Sequence, residues 1–151
     1  MRDGNPVSRW AVATAAVLVL LAAAGPARAA NCTVSPQNLG FGLYDTLSGA
    51  PSDTVATIAV DCDEETAFEI ALGPGTGSYS SRTMTGGPDS MAYNLYIDPQ
   101  RVMVWGDGTG GSSTVGAVSV RRDFTVYGRA PAQQNLRAGS YSDVVSVTVT
   151  Y

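Results

Sequence analysis

The sequence has 151 residues, with thirteen acidic side chains, nine basic ones and no histidine. All nine basic residues are arginines, so lysine is absent as well. These two absences exclude Ser-His-Asp and Cys-His catalytic arrangements, His-ligated zinc, Schiff-base chemistry and the phosphate-binding P-loop. The remaining route to catalysis would be a pair of carboxylates, as in glycosidases.

The first 29 residues have the pattern of a secretory signal peptide. Arg2 and Arg9 precede an apolar run over 11–24, and the small-x-small motif Ala27-Arg28-Ala29 follows it. The run is shorter than the roughly 20 residues that a membrane-spanning helix needs. We therefore expect cleavage after Ala29, a single exported domain over residues 30–151, and no membrane insertion.

The exported part is acidic, with six arginines against twelve aspartates and glutamates. This balance argues against nucleic acid or an anionic lipid surface as a partner. Both cysteines, Cys32 and Cys62, lie in the exported part. Because export leads to an oxidising compartment, the pair predicts a structural disulfide, and no cofactor or metal is expected.

Short runs rich in Val, Ile, Thr, Tyr and Phe alternate with Gly and Pro turns, and no exported segment keeps a 3.6-residue period. Strands at roughly ten-residue spacing predict an all-β sandwich with Greek-key connections. A bulge or break is expected at Arg121-Arg122. In chain order the predicted strands are Leu39–Asp45, Thr54–Cys62, Ala67–Leu72, Met91–Asp98, Arg101–Trp105, Val115–Tyr127 and Tyr141–Tyr151.

The last of these strands alternates without interruption. Val145, Val147, Val149 and Tyr151 share one face, and serine and threonine occupy the other. No charge, proline or later segment protects the outer edge of this strand, although exposed edges usually carry such protection. The pattern therefore raises the question of what pairs with this edge of the sheet.

Two further stretches give weaker indications of a binding site. The acidic cluster Asp61-Cys62-Asp63-Glu64-Glu65 is expected to be a solvated turn between two strands. Its alternative, a calcium site, lacks the spacing of an EF-hand loop. The glycine-rich loop over 105–111 is expected to be a flexible hairpin connection, since the alternative of phosphate binding needs a helix after the loop and none is predicted.

Seven short motifs in this order resemble the spore coat protein U domain, which is also the domain of subunits of archaic chaperone–usher pili. The likeness covers residues 31–151. The motifs are Phe41-Gly42-Leu43-Tyr44-Asp45, Asp61-Cys62, Ser81-Arg82-Thr83-Met84, Tyr93-Asn94-Leu95-Tyr96, Trp105-Gly106-Asp107-Gly108-Thr109, Thr125-Val126-Tyr127-Gly128-Arg129 and Ala138-Gly139-Ser140-Tyr141-Ser142-Asp143.

The resemblance implies an incomplete immunoglobulin-like sandwich that lacks its last strand and is completed by a donated one. It implies three kinds of partner: a periplasmic chaperone, an outer-membrane usher, and other pilus subunits that donate a strand. It also implies that Cys32 and Cys62 form the family's disulfide. By the same resemblance, the strand beside the acceptor groove carries Val145, Val147, Val149 and Tyr151.

Polymerising subunits of this family carry a donor segment before the first cysteine. Only Ala30 and Asn31 would precede Cys32 here, and two residues span at most ~7 Å, whereas a strand covers ~17–20 Å. We therefore expect a subunit that accepts a donated strand but cannot donate one to another subunit.

The expected function is that of a non-catalytic structural or adhesive subunit of a surface pilus, with a role in adhesion or biofilm formation. The expected location is the periplasm in transit, and then the cell surface or the medium. A free-standing secreted spore-coat or matrix protein is one alternative. A carbohydrate-active enzyme that uses two carboxylates is another.

We predict that the exported protein begins at Ala30 and contains a Cys32–Cys62 disulfide. Its intact mass should correspond to the loss of residues 1–29 and of two hydrogens. A retained leader, or a thiol that can be alkylated in the native protein, would contradict this prediction.

Overall fold

The structure is a computed structural model, and residues 30–86 and 88–151 are described. The predicted signal peptide lies outside the described residues. Within these ranges every element of regular secondary structure is a β-strand, which confirms the all-β prediction. No helix long and apolar enough to cross a membrane occurs in them. The strands are β1 Cys32–Pro36, β2 Ser52–Leu72, β3 Thr76–Gly77, β4 Arg82–Met84, β5 Met91–Tyr96, β6 Val115–Ala130 and β7 Val147–Thr150.

The long strands β2 and β6 form an antiparallel ladder on which the other strands assemble. Ser52 pairs with Ala130 at one end of the ladder, and Ile70 pairs with Val115 at the other. The strand order is β1-β2-β6-β5-β4-β3. β7 pairs with residues 69–72 of β2. It lies on the same side of β2 as β1, which pairs with residues 58–62.

Alternate residues of β2 and β6 point into one apolar core, because side chains alternate between the two faces of a strand. Trp105 is buried in that core, and its indole Nε1 donates a hydrogen bond to the carbonyl of Ile70 at 3.1 Å. The ring of Phe124 lies edge-on to those of Phe68 and Trp105. The most deeply buried apolar members of the core are Val60, Ile70, Ala130, Trp105 and Leu72.

The predicted disulfide is present. Cys32 and Cys62 are bonded to each other and lie directly opposite across β1 and β2. The bond therefore fastens β1 to the middle of β2.

β6 continues without a break through Arg121-Arg122, where a bulge or break was predicted, and both residues pair with β2. The ladder shifts register between Asp61 and Thr66, and Arg121 forms the last pair before the shift. The acidic cluster lies at this shift within one continuous strand, so the prediction of a turn between two strands was wrong. Among the described residues, no group of three or more potential ligands is arranged to hold a metal ion.

Two predicted strands are wrong, and the predicted last strand Tyr141–Tyr151 is shorter than expected, since only Val147–Thr150 form a strand. Residues 39–45 are irregular, with Gly42 in the left-handed region at φ 69°, a conformation that leaves a regular strand. Residues 101–105 make only isolated bridges, between Val104 and Tyr96 and between Trp105 and Ser113. The short strands β1, β3 and β4 were missed because none has a sustained alternating pattern.

The charged side chain of Arg82 is completely buried, and no other charged side chain in residues 30–86 and 88–151 is buried to that extent. Its guanidinium donates hydrogen bonds to the Gly73 carbonyl at 2.8 and 3.0 Å, to Asn94 Oδ1 at 2.5 Å and to the Trp105 carbonyl at 2.7 Å. Burial lowers the pKa of Arg82 from its usual value. Arginine nevertheless stays protonated in proteins, so one cation joins three separate chain segments from inside the core.

Replacement of Arg82 with Met should destabilise the fold by about 3 kcal/mol or more, because three buried acceptors lose their donor while the volume stays similar. Arg137→Met is the matched control. Its guanidinium pairs with Asp89 at 2.9 Å but is 72% exposed, so we expect a change within about 1 kcal/mol. Urea unfolding of both variants gives the comparison, and equal losses would contradict this account of Arg82.

Candidate functional site

A large cleft of about 1130 Å³ opens beside the last strand. One wall is residues 36–46, which follow β1, and the other is residues 136–147, which lead into β7. We call these the β1 wall and the β7 wall. The floor consists of apolar core side chains from β2, β4, β5 and β6: Ala56, Ile58, Leu72, Met84, Met91, Tyr93, Leu95 and Val126.

Each side chain of the floor is at most 9% exposed, because the residues of the two walls cover most of the floor. The cleft is therefore an opening between two chain segments into the core of the sandwich. An extended polypeptide that lay between the walls would meet an apolar surface below it.

Along the β7 wall, the backbone N–H and C=O groups of every second residue are free of the neighbouring strands. The backbone of Ser142 exchanges two hydrogen bonds with Thr85, and the carbonyl of Ser146 accepts one from the Gly73 N–H at 2.9 Å. The register continues with Thr148 opposite Ala71. Because backbone groups alternate in direction along a strand, the N–H and C=O groups of residues 145, 147 and 149 point away from β2. No strand among the described residues pairs with them.

The β1 wall also has free backbone groups. Gln37 donates its N–H to the Thr57 carbonyl at 2.9 Å, and regular pairing with β2 ends there. From residue 38 to 44, the described structure contains one hydrogen bond to a backbone group, from the Ser52 hydroxyl to the Phe41 carbonyl at 3.2 Å. Both walls thus contain backbone N–H and C=O groups without a hydrogen-bond partner in the described structure.

The polar pair Tyr93 and Asp143 lies on the lining of the cleft. The Tyr93 hydroxyl donates to Asp143 Oδ2 at 2.6 Å, and the same carboxylate accepts from the Thr76 N–H at 3.0 Å and the Val144 N–H at 2.9 Å. Burial, followed by the hydrogen bond to Asp143, raises the pKa of Tyr93 above its usual value. Burial alone would raise the pKa of Asp143, but its hydrogen bonds, first among them that from Tyr93, bring it below the usual 3.8.

The four residues predicted to mark the last strand take different places. Val145 and Val147 line the cleft, and Val149 continues the same half-buried face beyond it. Tyr151 follows the end of β7 and is 55% exposed. Their role in pairing with a partner stays a prediction.

Sequence reasoning missed the β1 wall and the pair of Tyr93 and Asp143. The wall was predicted to be a strand, and its irregularity depends on glycines whose conformation a hydrophobic pattern does not reveal. The pair joins residues that are fifty positions apart. Tyr93 and Asp143 each lie in one of the seven motifs, but the motifs gave no indication of a hydrogen bond between the two residues.

Asp143→Asn should destabilise the protein at pH 7 by about 1–2 kcal/mol, because the amide cannot accept the same set of charge-assisted hydrogen bonds. Since the folded pKa of Asp143 lies below its unfolded value, its contribution is present above about pH 4 and is lost as the pH falls through the folded pKa. The difference in stability between wild type and variant should therefore become smaller below pH 4. Asp123→Asn, at an exposed strand carboxylate, is the control. Thermal melts from pH 7 to pH 2.5 test this, and a gap that is independent of pH would contradict it.

Comparison with known proteins gives relatives in sequence and in fold. The chain is 30% identical over 127 residues to "Protein U" of Myxococcus xanthus, a match that covers 75% of this chain and 71% of that protein.

Among solved structures, it is similar at a TM-score of 0.62 and 18% identity to a chain of the CsuC–CsuE chaperone–tip adhesion subunit pre-assembly complex, from archaic chaperone–usher Csu pili of Acinetobacter baumannii. That match covers 82% of this chain, which spans only 40% of the length of the Csu chain. The P pilus rod subunit PapA is similar at a TM-score of 0.52 and 16% identity, over 80% of this chain and 98% of that one.

These structural likenesses concern the fold, and they confirm the immunoglobulin-like prediction. The Spore Coat Protein U domain model matches residues 14–148, most of the sequence. The resemblance drawn from the seven motifs is thereby confirmed, and the chain belongs to the Spore Coat Protein U domain family.

Proposed function

We propose that this protein is an exported, non-catalytic structural subunit whose cleft takes up a β-strand from another polypeptide. One observation carries the proposal: the backbone groups of residues 145 and 147, on the wall of a cleft with an apolar floor, and of residue 149 just beyond it point away from β2 and have no partner strand in the described chain. A strand laid along them gains main-chain hydrogen bonds on its edge, and its alternate side chains enter the core.

The chemistry of the cleft favours a strand over a small-molecule ligand. Its volume of about 1130 Å³ lies above the usual range of ligand pockets, roughly 300–1,000 Å³. The one carboxylate on its lining, Asp143, already accepts hydrogen bonds from neighbouring protein groups. The β1 and β7 walls, by contrast, offer backbone groups, which an extended peptide complements whatever its sequence.

The partners that we propose follow from the family and from its structural neighbours. One solved neighbour is a chaperone–tip adhesion subunit complex and another is a pilus rod subunit, which supports a periplasmic chaperone and other pilus subunits as donors. We propose an outer-membrane usher for assembly, and an adhesive role at the cell surface. The acceptor-only character depends on leader cleavage after Ala29, outside the described residues, and stays a prediction.

A second function is favoured by the family's own description as a spore coat domain. In that case the protein is a free-standing component of a coat or matrix, and its cleft has no donor strand to receive. The two functions differ in whether the cleft binds an added strand, so one experiment separates them.

We predict that a synthetic peptide of alternating Val and Thr, about ten residues long, binds the cleft and raises the melting temperature. Residue-resolved amide exchange should show where it binds. In the free protein the amides of Val145, Val147 and Val149 should exchange quickly, whereas those of Thr148 and Thr150, which face β2, should be protected. With the peptide, all five should be protected.

The matched variants are two isosteric changes of valine to threonine. Val147→Thr puts a hydroxyl on the cleft side of β7 and should weaken peptide binding about tenfold, since the hydroxyl becomes buried under the added strand. Val118→Thr makes the same change on an exposed position of β6 and should leave binding unchanged. If the peptide leaves the three valine amides unprotected, donor-strand uptake is wrong and the coat function is favoured.

A further inference from the structure

A second unpaired edge lies on β6, on the side away from β2. β5 pairs only with residues 127–129 of β6, so no other strand of the described chain lies beside residues 115–126 on that side. The first part of this edge, residues 115–120, reads VGAVSV and carries no charge. Val118 and Val120 are 64% and 47% exposed. An uncharged edge of this composition tends to pair with another chain.

The β6 edge carries charged side chains directly after its apolar stretch, and the β7 edge does not. Arg121, Arg122 and Asp123 come after Val120, and all three are exposed. Arg121 pairs with Asp61 at 3.2 Å, while the guanidinium of Arg122 lies 5.6 Å from the centre of the Phe124 ring. The stretch from residue 144 to 151, in contrast, contains no charged side chain.

These charges sit where the ladder is already irregular. Arg121 forms the last pair before the register shift, and the extra residues at the shift, 62–65, belong to β2, while β6 continues without a break. A bulge of this kind increases the local twist of the paired strands. A strand added beside β6 therefore meets a twisted segment that carries two exposed guanidinium groups.

On the basis of the proposed function, we propose that Arg121 and Arg122 prevent strand addition along β6 and so confine it to the β7 edge. The reason is solvation: a backbone laid against β6 would remove water from both guanidinium groups, and Asp61 compensates only that of Arg121. The subunit then takes up one strand, at the cleft, although the free side of β6 is also unpaired.

The double variant Arg121→Thr/Arg122→Thr tests this proposal, since threonine suits a strand and carries no charge. Two controls accompany it. Arg121→Lys/Arg122→Lys keeps the charge, and Asp107→Thr removes an exposed charge from the loop after Trp105, which lies on neither β6 nor β7 and does not line the cleft. Each exported protein is examined by sedimentation, with and without the alternating Val-Thr peptide.

We expect the wild type and both controls to stay monomeric, and the threonine double variant to form dimers or larger species even when the peptide is in excess. In those species the amides of residues 116–126 should exchange more slowly, by roughly tenfold or more. A double variant that stays monomeric would overturn the proposal, as would one whose oligomers protect only the β7 amides. Failure of the peptide to bind the wild type would count against the proposed function instead, and the two results are therefore distinguishable.

Discussion

The long pairing of β2 with β6 is the constraint on which the rest of the structure depends. Every other strand is attached to it directly or through β5: β1 and β7 lie along β2, and β5 lies along the end of β6. The register shift beyond Asp61 divides this ladder into two parts. β1 attaches to one part and β7 to the other, so the gap between the β1 and β7 walls follows from the ladder itself.

The core beneath this gap is held by polar contacts as well as by apolar packing. Arg82 connects Gly73, Asn94 and Trp105, and Asp143 holds the β7 wall against Thr76 and Tyr93. These hydrogen bonds fix the position of the wall through side chains. They leave the backbone of the valines in β7 free, so the wall is rigidly placed without its outer edge being used.

Much of the fold could be predicted from alternation of side chains, because strands with one buried face show it directly. β6, the inward residues of β5 and the valines of the last strand are examples. Residues 39–45 could not be predicted, since their apolar side chains fit a strand while glycine conformation decides against one. Nor could the buried Arg82 be predicted, because the partners that satisfy it are distant in sequence and two of them are main-chain carbonyls. The cleft was expected from the family resemblance and from the unprotected last strand, but its second wall was not.

The ladder also has a consequence for the time course of folding. Ser52 must find Ala130, and β7 must reach back to β2, so nearly all of the pairing joins distant parts of the chain. Chains dominated by such contacts fold slowly, in milliseconds to seconds, because the loops must close before any contact forms. Throughout that interval the apolar strands of the unfolded chain are open to wrong partners. A donor that arrives while the core is still forming would therefore act on the folding pathway as well as on the finished domain.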